Sequence, residues 1–374
     1  MLKIFVTGDN HIGLKYASHE QASVLIESRV DAFDNMVKTA NLENCDLFVV
    51  TGDLFENTNV SKRDVSTVLE KLSRFNGYVV VLPGNHDYYD NDVKVWRYFK
   101  DIMVNYDNIM LLNEYRPYEI DLEGKAVVLY PALCTSLHSE PWENNLGWIK
   151  DTEIVDESAY HIGVAHGAVE GETIDNEGRY FLMKRSELES IPVDAWLIGH
   201  THVPFPRNLS KDFALSDKIF NAGTHVQTDV ACNTEGLCFV IEIDENKTVR
   251  AKKVVTGNIH FYRKTIDVTS GEMKEILNRE LSDIKDTSVV DVILEGAVTA
   301  EEYEERTYII EHSLSRFVEG TYNDHALSRL ITKDLIESEF AETSLSAKLL
   351  KALIDEPKEA QLAYELLNAL KEGK

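Results

Sequence analysis

The chain has 374 residues, with 64 Asp or Glu against 38 Lys or Arg, a formal net charge of −26. That length exceeds one compact domain and fits two or three. So acidic a balance argues against broad, charge-driven binding of nucleic acid, because phosphate contacts come from Lys and Arg and an acidic surface repels the backbone at low salt.

Hydrophobic residues make up 44 % of the chain, ample for a core. No run approaches the roughly 18 unbroken apolar residues of a membrane span. Met1 to Val6 is too short and too soon followed by Asp9 to read as a signal peptide. Cys45, Cys134, Cys232 and Cys238 are irregularly spaced. They are expected to be reduced, mostly buried thiols of a cytoplasmic protein, with a Cys232–Cys238 bridge as the alternative.

In chain order, the strand-like run Lys3-Ile4-Phe5-Val6 leads into Asp9-Asn10-His11. A helix follows over Val24 to Ala40, with Leu25, Val30, Phe33 and Val37 on one face. Leu47-Phe48-Val49-Val50 leads into Gly52-Asp53, and a second helix spans Arg63 to Phe75. Tyr78-Val79-Val80-Val81-Leu82 leads into Gly84-Asn85-His86-Asp87. His161-Ile162-Gly163-Val164-Ala165 leads into His166-Gly167, and Ala195-Trp196-Leu197-Ile198 into Gly199-His200-Thr201-His202. Three more β-like runs, Lys218 to Asn221, Leu237 to Asp244 and Thr248 to Val255, suggest a second sheet closing the catalytic layer.

Near Gly257-Asn258 the pattern changes. A strand over 259–268, a helix over 271–284, a strand over 288–294 and a helix over 300–318 make a small capping unit. Beyond Gly320 the chain reads as wholly helical. Leu345, Leu349, Leu350 and Leu353 form one leucine stripe, and Leu362, Leu366, Leu367 and Leu370 another. Pro357 between them suits a first helical turn. The expected domains are 1–257, 258–320 and 321–374.

Five polar clusters thus follow five strand-like runs. Parallel strands of one sheet present their C-terminal ends along one edge, where α/β proteins bind ligands. Two Asp, one Asn and several His can therefore meet at one spot, more donors than one ion takes. Oxygen donors mixed with imidazoles suit Mn, Fe or Zn. Two ions about 3.5–4 Å apart can clamp a phosphoryl group and generate hydroxide from water. The alternative for any single residue is a polar cap at a strand end.

The order D-x-H, G-D, G-N-H-D, H-G, G-H-x-H resembles the calcineurin-like metallophosphoesterases, over residues 9 to 202. Gly52-Asp53-Leu54-Phe55 with a two-part C-terminal extension is similar to the SbcD-type DNA double-strand-break repair nucleases. The wider resemblance implies a four-layer α/β/β/α sandwich and two divalent metal ions, with manganese expected. It implies Asp53 as the bridging carboxylate, Asp9, His11 and His202 on one ion, and Asn85, His166 and His200 on the other. His86 would assist the leaving oxygen, a role that contributes roughly 10²–10⁴-fold, with Asp87 either orienting it or capping a helix. Asn10 is expected as a turn residue. His225 follows a loop that the family places near the metals.

The narrower resemblance implies DNA as substrate, exonuclease or endonuclease activity by a metal-bridging hydroxide, and a role in DNA repair. It also implies a partner, an SbcC-type ABC ATPase whose coiled coil docks on the C-terminal helices; the leucine stripes read equally as a helical hairpin packing on itself, and the two are compatible. A homodimer is allowed, and no membrane partner is expected. One departure is Glu56, three residues after Asp53, where eukaryotic and archaeal members of the nuclease family often carry His and bacterial-type members often an acid. Residues 247–264 carry six basic side chains and no acid: Lys247, Arg250, Lys252, Lys253, Arg263 and Lys264. With Tyr262 among them, Lys252, Lys253, Arg263 and Lys264 are candidates for nucleic-acid contact. The rival readings are a small-molecule phosphoesterase of the same superfamily and a non-catalytic scaffold.

Overall fold

In this computed structural model the residues described are 1–371 apart from 155, 157 and 233. They fall into two units, one over Met1–Ser18 with Ala22–Ile259, the other over His19–Gln21 with His260–Lys374.

The first unit contains β1 (Leu2–Thr7), β2 (Leu47–Val50), β3 (Tyr78–Val81), β4 (Ile109–Leu111), β5 (Tyr118–Leu122) and β6 (Lys125–Ala132). It continues with β7 (Tyr160–His166), β8 (Ala195–Gly199), β9 (Ala214–Leu215), β10 (Ile219–Phe220), β11 (Leu237–Ile243) and β12 (Val249–Val255). Its helices are α1 (Ala22–Leu42), α2 (Lys62–Leu72), α3 (Lys94–Met103), α4 (Gly147–Lys150) and α5 (Arg185–Ser190).

One sheet has the order β4-β3-β2-β1-β11-β12-β9, the other β10-β8-β7-β6-β5. β1 to β4 pair in parallel, as do β6, β7, β8 and β10. The strands read as unbroken apolar runs because both faces are covered. In β1, Leu2, Ile4 and Val6 face the second sheet, where they meet Leu129, Ile162 and Leu197. Phe5 faces the other way and joins Phe48, Phe33, Met36, Val68 and Trp96 under α1 to α3. The outer face of the second sheet buries Trp196, Ile198 and Ala165 against Leu188 of α5 and Ile149 of α4. The result is the four-layer α/β/β/α sandwich expected.

Two expectations are corrected. The five motif-bearing strands lie not in one sheet but in two, β1 to β3 in the first and β7 and β8 in the second. The strands after His202 do not build the second sheet by themselves. β11 pairs antiparallel with β1 and β12 with β11, which widens the first sheet, while β10 joins β8. An apolar run declares a buried strand but not its neighbour. The four cysteines are free thiols, with Cys45, Cys134 and Cys238 buried.

The second unit has β13 (His260–Thr269), α6 (Met273–Leu281), β14 (Ser288–Val298), α7 (Ala300–Leu314) and β15 (Glu319–Arg329). Its sheet is all parallel with β14 central. Thr299 caps α7 by accepting from Glu302 N at 3.2 Å, and Glu302 answers the Thr299 amide at 2.9 Å. α8 (Lys333–Glu339), α9 (Leu345–Ala352) and α10 (Pro357–Lys371) follow, around a separate core of Ile336, Phe340, Ala347, Leu350, Ala360 and Tyr364.

β15 corrects the reading of a wholly helical chain beyond Gly320. It is an edge strand whose Asn323, Asp324 and His325 break any apolar alternation, so its sequence gives no strand signal. Among the described residues no helix is long and apolar enough to cross a membrane.

A chain ended at Gly320 therefore loses β15 and bares one edge of β14, whereas a chain ended at Leu330 keeps the three-stranded sheet. Limited proteolysis should digest the second unit in the first case and spare it in the second. Equal resistance of the two truncations would show that β15 contributes nothing to that unit.

Candidate metal centre

The donors sit on the turns just beyond β1, β2, β3 and β8 and on the last residue of β7. The turns are tight. Asp9, His11, Asp53 and His202 have φ of 49°, 47°, 50° and 51°, and His200 has 111°. Such left-handed values are uncommon outside glycine and cost of order 1–3 kcal/mol each. The glycines around them are fixed by space. A Cβ on Gly84 would lie 2.2 Å from Asp53 Oδ1, and one on Gly52, itself at φ 99°, 2.2 Å from His166 Nδ1.

Two groups of donors form. His11 Nε2 lies 3.0 Å from His202 Nε2, and Asp9 Oδ1 is 3.9 Å from the same His202 atom. On the other side, Asn85 Oδ1 faces His166 Nε2 at 3.0 Å and His200 Nδ1 at 3.1 Å. The Asp53 carboxylate stands between them. Its Oδ2 is 3.3 Å from His166 Nε2 and 3.9 Å from His11 Nε2. All seven residues of the expected ligand set are thus brought together.

Tautomers decide what this arrangement can hold. His166 Nδ1 faces the Thr51 carbonyl at 2.9 Å, so it carries the hydrogen. Nε2 of the neutral ring then offers a lone pair toward Asn85 Oδ1 and Asp53 Oδ2, which are acceptors too. Acceptors converging in a buried place need a cation among them. Asp9, Asp53 and His166 are 0–1 % exposed, and among the described residues neither carboxylate has a Lys or Arg partner.

A proton on His166 Nε2 is the simplest such cation, and the electrostatics favour one there. Burial alone would raise the Asp53 carboxyl, but the imidazoles of His166, His11 and His86 outweigh it and hold it well below the carboxylate range. Burial works against a charged His166, yet the Asp53 carboxylate lifts it to about 9. Burial, helped by His166, pushes His200 down to about 4. The cluster draws positive charge to its centre. The donor set of carboxylate, amide and imidazole fits a divalent metal of the Mn, Fe or Zn type. Cys134 donates to the His166 carbonyl, and burial raises its thiol well above the ordinary range, so it offers no thiolate.

His86 lies beside the first group. Its amide donates to Asp53 Oδ1 at 2.8 Å, and its Nδ1 meets the Glu56 carbonyl at 3.1 Å, which leaves Nε2 free of that contact. His86, His11 and Asp53 also bring one ligand atom each within 4.8 Å of one another, as do Asp9, His11 and His202 and, separately, Asp9, Asp53 and His166. The ring of His86 is edge-on to that of His11, 4.8 Å away. The Glu56 carboxylate contacts His11 Nδ1 at 3.0 Å. An outer carboxylate that orients a histidine is a common support of metal sites.

Some expected roles fall elsewhere. Asp87 neither orients His86 nor caps a helix. Its Oδ1 accepts from Gly84 N at 2.7 Å and its Oδ2 from Phe55 N at 3.0 Å, tying the β2 and β3 turns together. Burial, then the Asp53 charge, push its carboxyl up to about 7. His225 is wholly buried, with Nε2 on the Arg29 carbonyl at 3.0 Å. Burial, followed by the Arg29 charge, lowers it to about 3. Asn10 is a turn residue, its Nδ2 on Thr7 Oγ1.

The basic run is largely spent inside the chain. Lys247 pairs with Asp194, Lys252 with Glu43, Arg263 with Asp291 and Lys264 with Glu280. Tyr262 is 40 % exposed. Lys252 and Lys253 belong to the first unit, and Tyr262, Arg263 and Lys264 to the second.

Arg29 was not singled out in the sequence. It lies on the buried face of α1, donates through Nε to the Asn10 carbonyl at 2.6 Å and through Nη1 to Tyr16 Oη at 2.8 Å. It thereby holds the peptide between Asp9 and His11. An Arg on an otherwise apolar helix face (Leu25, Arg29, Phe33, Met36) was the signal that could have found it.

The sequence profile of the calcineurin-like phosphoesterases matches residues 2–204, the span that carries every donor above. The chain belongs to that family. Among solved structures it is similar to TT1561 of Thermus thermophilus, at 11 % identity and a TM-score of 0.42, covering 68 % of this chain and 99 % of that one. It is similar to a dimetal phosphatase from Danio rerio, at 10 % identity and a TM-score of 0.36, covering 68 % and 98 %. The nuclease MPE of Pseudomonas putida matches at 14 % identity and a TM-score of 0.22, covering 48 % and 73 %. At these scores the likenesses carry no argument about substrate. Family membership makes the chain a metal-dependent phosphoesterase.

Gly84→Ala should displace the Asp53 carboxylate. Titration with Mn²⁺ should show affinity weakened roughly 10–100-fold, the scale of lost support around a metal site. Unchanged affinity would mean that the Asp53 position is not needed for metal.

Proposed function

We propose that this phosphoesterase is a two-metal DNA nuclease, the nuclease subunit of an SbcC–SbcD-like repair complex. The observation that carries the two-metal reading is the Asp53 carboxylate set between two groups of donors. Asp9, His11 and His202 would hold one ion, Asn85, His166 and His200 the other, with Asp53 shared. When bound, two such ions act as Lewis acids on the phosphoryl group and lower the pKa of water.

The chain's own residues do the rest. By fixing where the ions would sit, Asp53, Asp9 and the imidazole donors would fix the place of the phosphate. His86, anchored at Nδ1, presents Nε2 to the leaving oxygen and can hold a proton there. An alkoxide leaves poorly, so a proton at that atom assists departure. The choice of DNA rests on the resemblance of Gly52-Asp53-Leu54-Phe55 and the C-terminal extension to the SbcD-type nucleases. A small-molecule phosphodiesterase is the second reading, favoured by the net charge of −26.

The wild-type protein loaded with Mn²⁺ should bind about two ions per chain and hydrolyse bis(p-nitrophenyl) phosphate and labelled single- and double-stranded DNA. Hydrolysis of the small diester without any DNA cleavage would leave the small-molecule reading. His86→Ala should keep its metal and lose roughly 10²–10⁴-fold in turnover. Loss of metal in that variant would make His86 a ligand instead.

The partner ATPase belongs to the same proposal. The leucine stripes divide between two tasks. Leu350 is buried and Leu353 and Leu367 pack on the helical core, while Leu345, Leu349, Leu362, Leu366 and Leu370 are exposed. Leu362, Leu366 and Leu370 stand four residues apart along α10, the spacing of a helix-docking face. Changing these three to Glu should abolish co-purification with a co-expressed SbcC-type ATPase and leave diester hydrolysis intact. Full recovery of the complex would move the docking site elsewhere.

A further inference from the structure

A cavity of about 680 Å³ opens beside His202. Its wall runs from His202, Val203 and Pro204 to Arg207 and Lys211, and across to Lys253 on β12. The two cation-bearing segments are tied at the backbone, where Lys253 N donates to Ser210 O at 2.8 Å. The side chains of Arg207, Lys211 and Lys253 have no ion-pair or hydrogen-bond partner among the described residues. The neighbouring Lys252, by contrast, is paired with Glu43 at 2.8 Å.

Three unpaired cations around one cavity reverse the local sign in a chain where acids outnumber bases by 64 to 38. Asp229 and Glu235 also line the cavity. Asp229 Oδ1 is engaged by its own loop, accepting from Ala231 N at 2.7 Å and Cys232 N at 3.0 Å. Asp229 keeps its charge, so among the described residues of the lining two carboxylates face three cations and the balance stays positive by one. His202 belongs at once to this wall and to the donor group with Asp9 and His11. A ligand in the cavity is therefore contiguous with the candidate metal centre. The room, the charge and the contiguity suit an extended chain of phosphates. A lone phosphate would use the centre and leave the cavity empty.

We infer that this cavity holds the phosphate backbone of a nucleic-acid strand beside the phosphate under attack, with Arg207, Lys211 and Lys253 as its contacts. The inference rests on the nuclease reading above and specifies where the strand lies. It also separates substrates. A strand with flanking phosphates engages the cavity, and a small diester does not reach it.

The test compares the Mn²⁺-loaded wild type with the triple variant Arg207→Gln, Lys211→Gln, Lys253→Gln. Both are assayed on bis(p-nitrophenyl) phosphate and on a labelled single-stranded oligonucleotide over a range of salt. The ratio of kcat/KM on the oligonucleotide to kcat/KM on the small diester should fall roughly tenfold, through KM. The log–log salt slope of oligonucleotide binding should drop by about 2, since each phosphate contact on a single strand contributes about 0.7. Arg207→Lys should retain the slope, because charge is what the contact needs.

If the triple variant melts below the wild type, the three single variants carry the same comparison, each losing about 0.7 of slope. An unchanged ratio and slope overturn the cavity as a strand subsite and leave the nuclease reading standing. A wild type that cleaves no oligonucleotide at any salt overturns both.

Discussion

A buried carboxylate with no Lys or Arg partner among the described residues organises this molecule. Asp53 is 1 % exposed, and the groups that face its Oδ2 are imidazole nitrogens. An ionised carboxylate in such a place is costly unless charge and hydrogen bonds compensate it. The His86 amide supplies one bond. The remainder has to come from positive charge at the junction of the two donor groups. The glycines beside it follow from the same need. A methyl group at Gly84 or Gly52 would occupy the space in which Asp53 and His166 approach each other.

The arrangement also requires two sheets. Asp9, Asp53 and Asn85 come from one, His166 and His200 from the other. The interlocked apolar faces of Ile4, Val6, Val49, Ile162, Val164 and Leu197 set how far apart the two edges stand. Burying such side chains stabilises by about 1.5–3 kcal/mol each. That is the scale of the strain at a left-handed Asp or His. Several buried aliphatic residues per strained donor therefore hold the turns in a conformation that no isolated peptide would keep. Asp87 and Arg29 act locally to the same end, one joining two turns through their amides, the other gripping the peptide between two donors.

Much of this was legible in the sequence, for a physical reason. Strands buried on both faces write themselves as unbroken apolar runs, and donors at their ends cannot be mistaken for core. The pairing of strands was not legible, because Leu237–Ile243 could as well have founded a second sheet as extended the first. Nor was β15, an edge strand with a polar sequence. The partners of Asp87 are backbone amides of two distant turns, and nothing in a sequence marks those. Charge misled most. Six basic residues over positions 247–264, with no acid among them, suggested one surface, yet four of them close ion pairs within their own units.

Net charge and local charge answer different questions here. At physiological ionic strength the field of a surface charge fades over a Debye length of about 8 Å. Acids farther away than that do little to a phosphate already seated in a cavity lined by Arg207, Lys211 and Lys253. They do act on a strand that has no such place, and they oppose it wherever it touches the rest of the surface. An acidic exterior around a small cationic cavity thus weakens loose, sequence-independent attachment more than it weakens binding at the centre. On the nuclease reading, a strand would meet the cavity at ends or openings, and the chain would not coat a duplex. The charge of −26, which at first argues against a nucleic-acid substrate, is then compatible with one that enters at a single point.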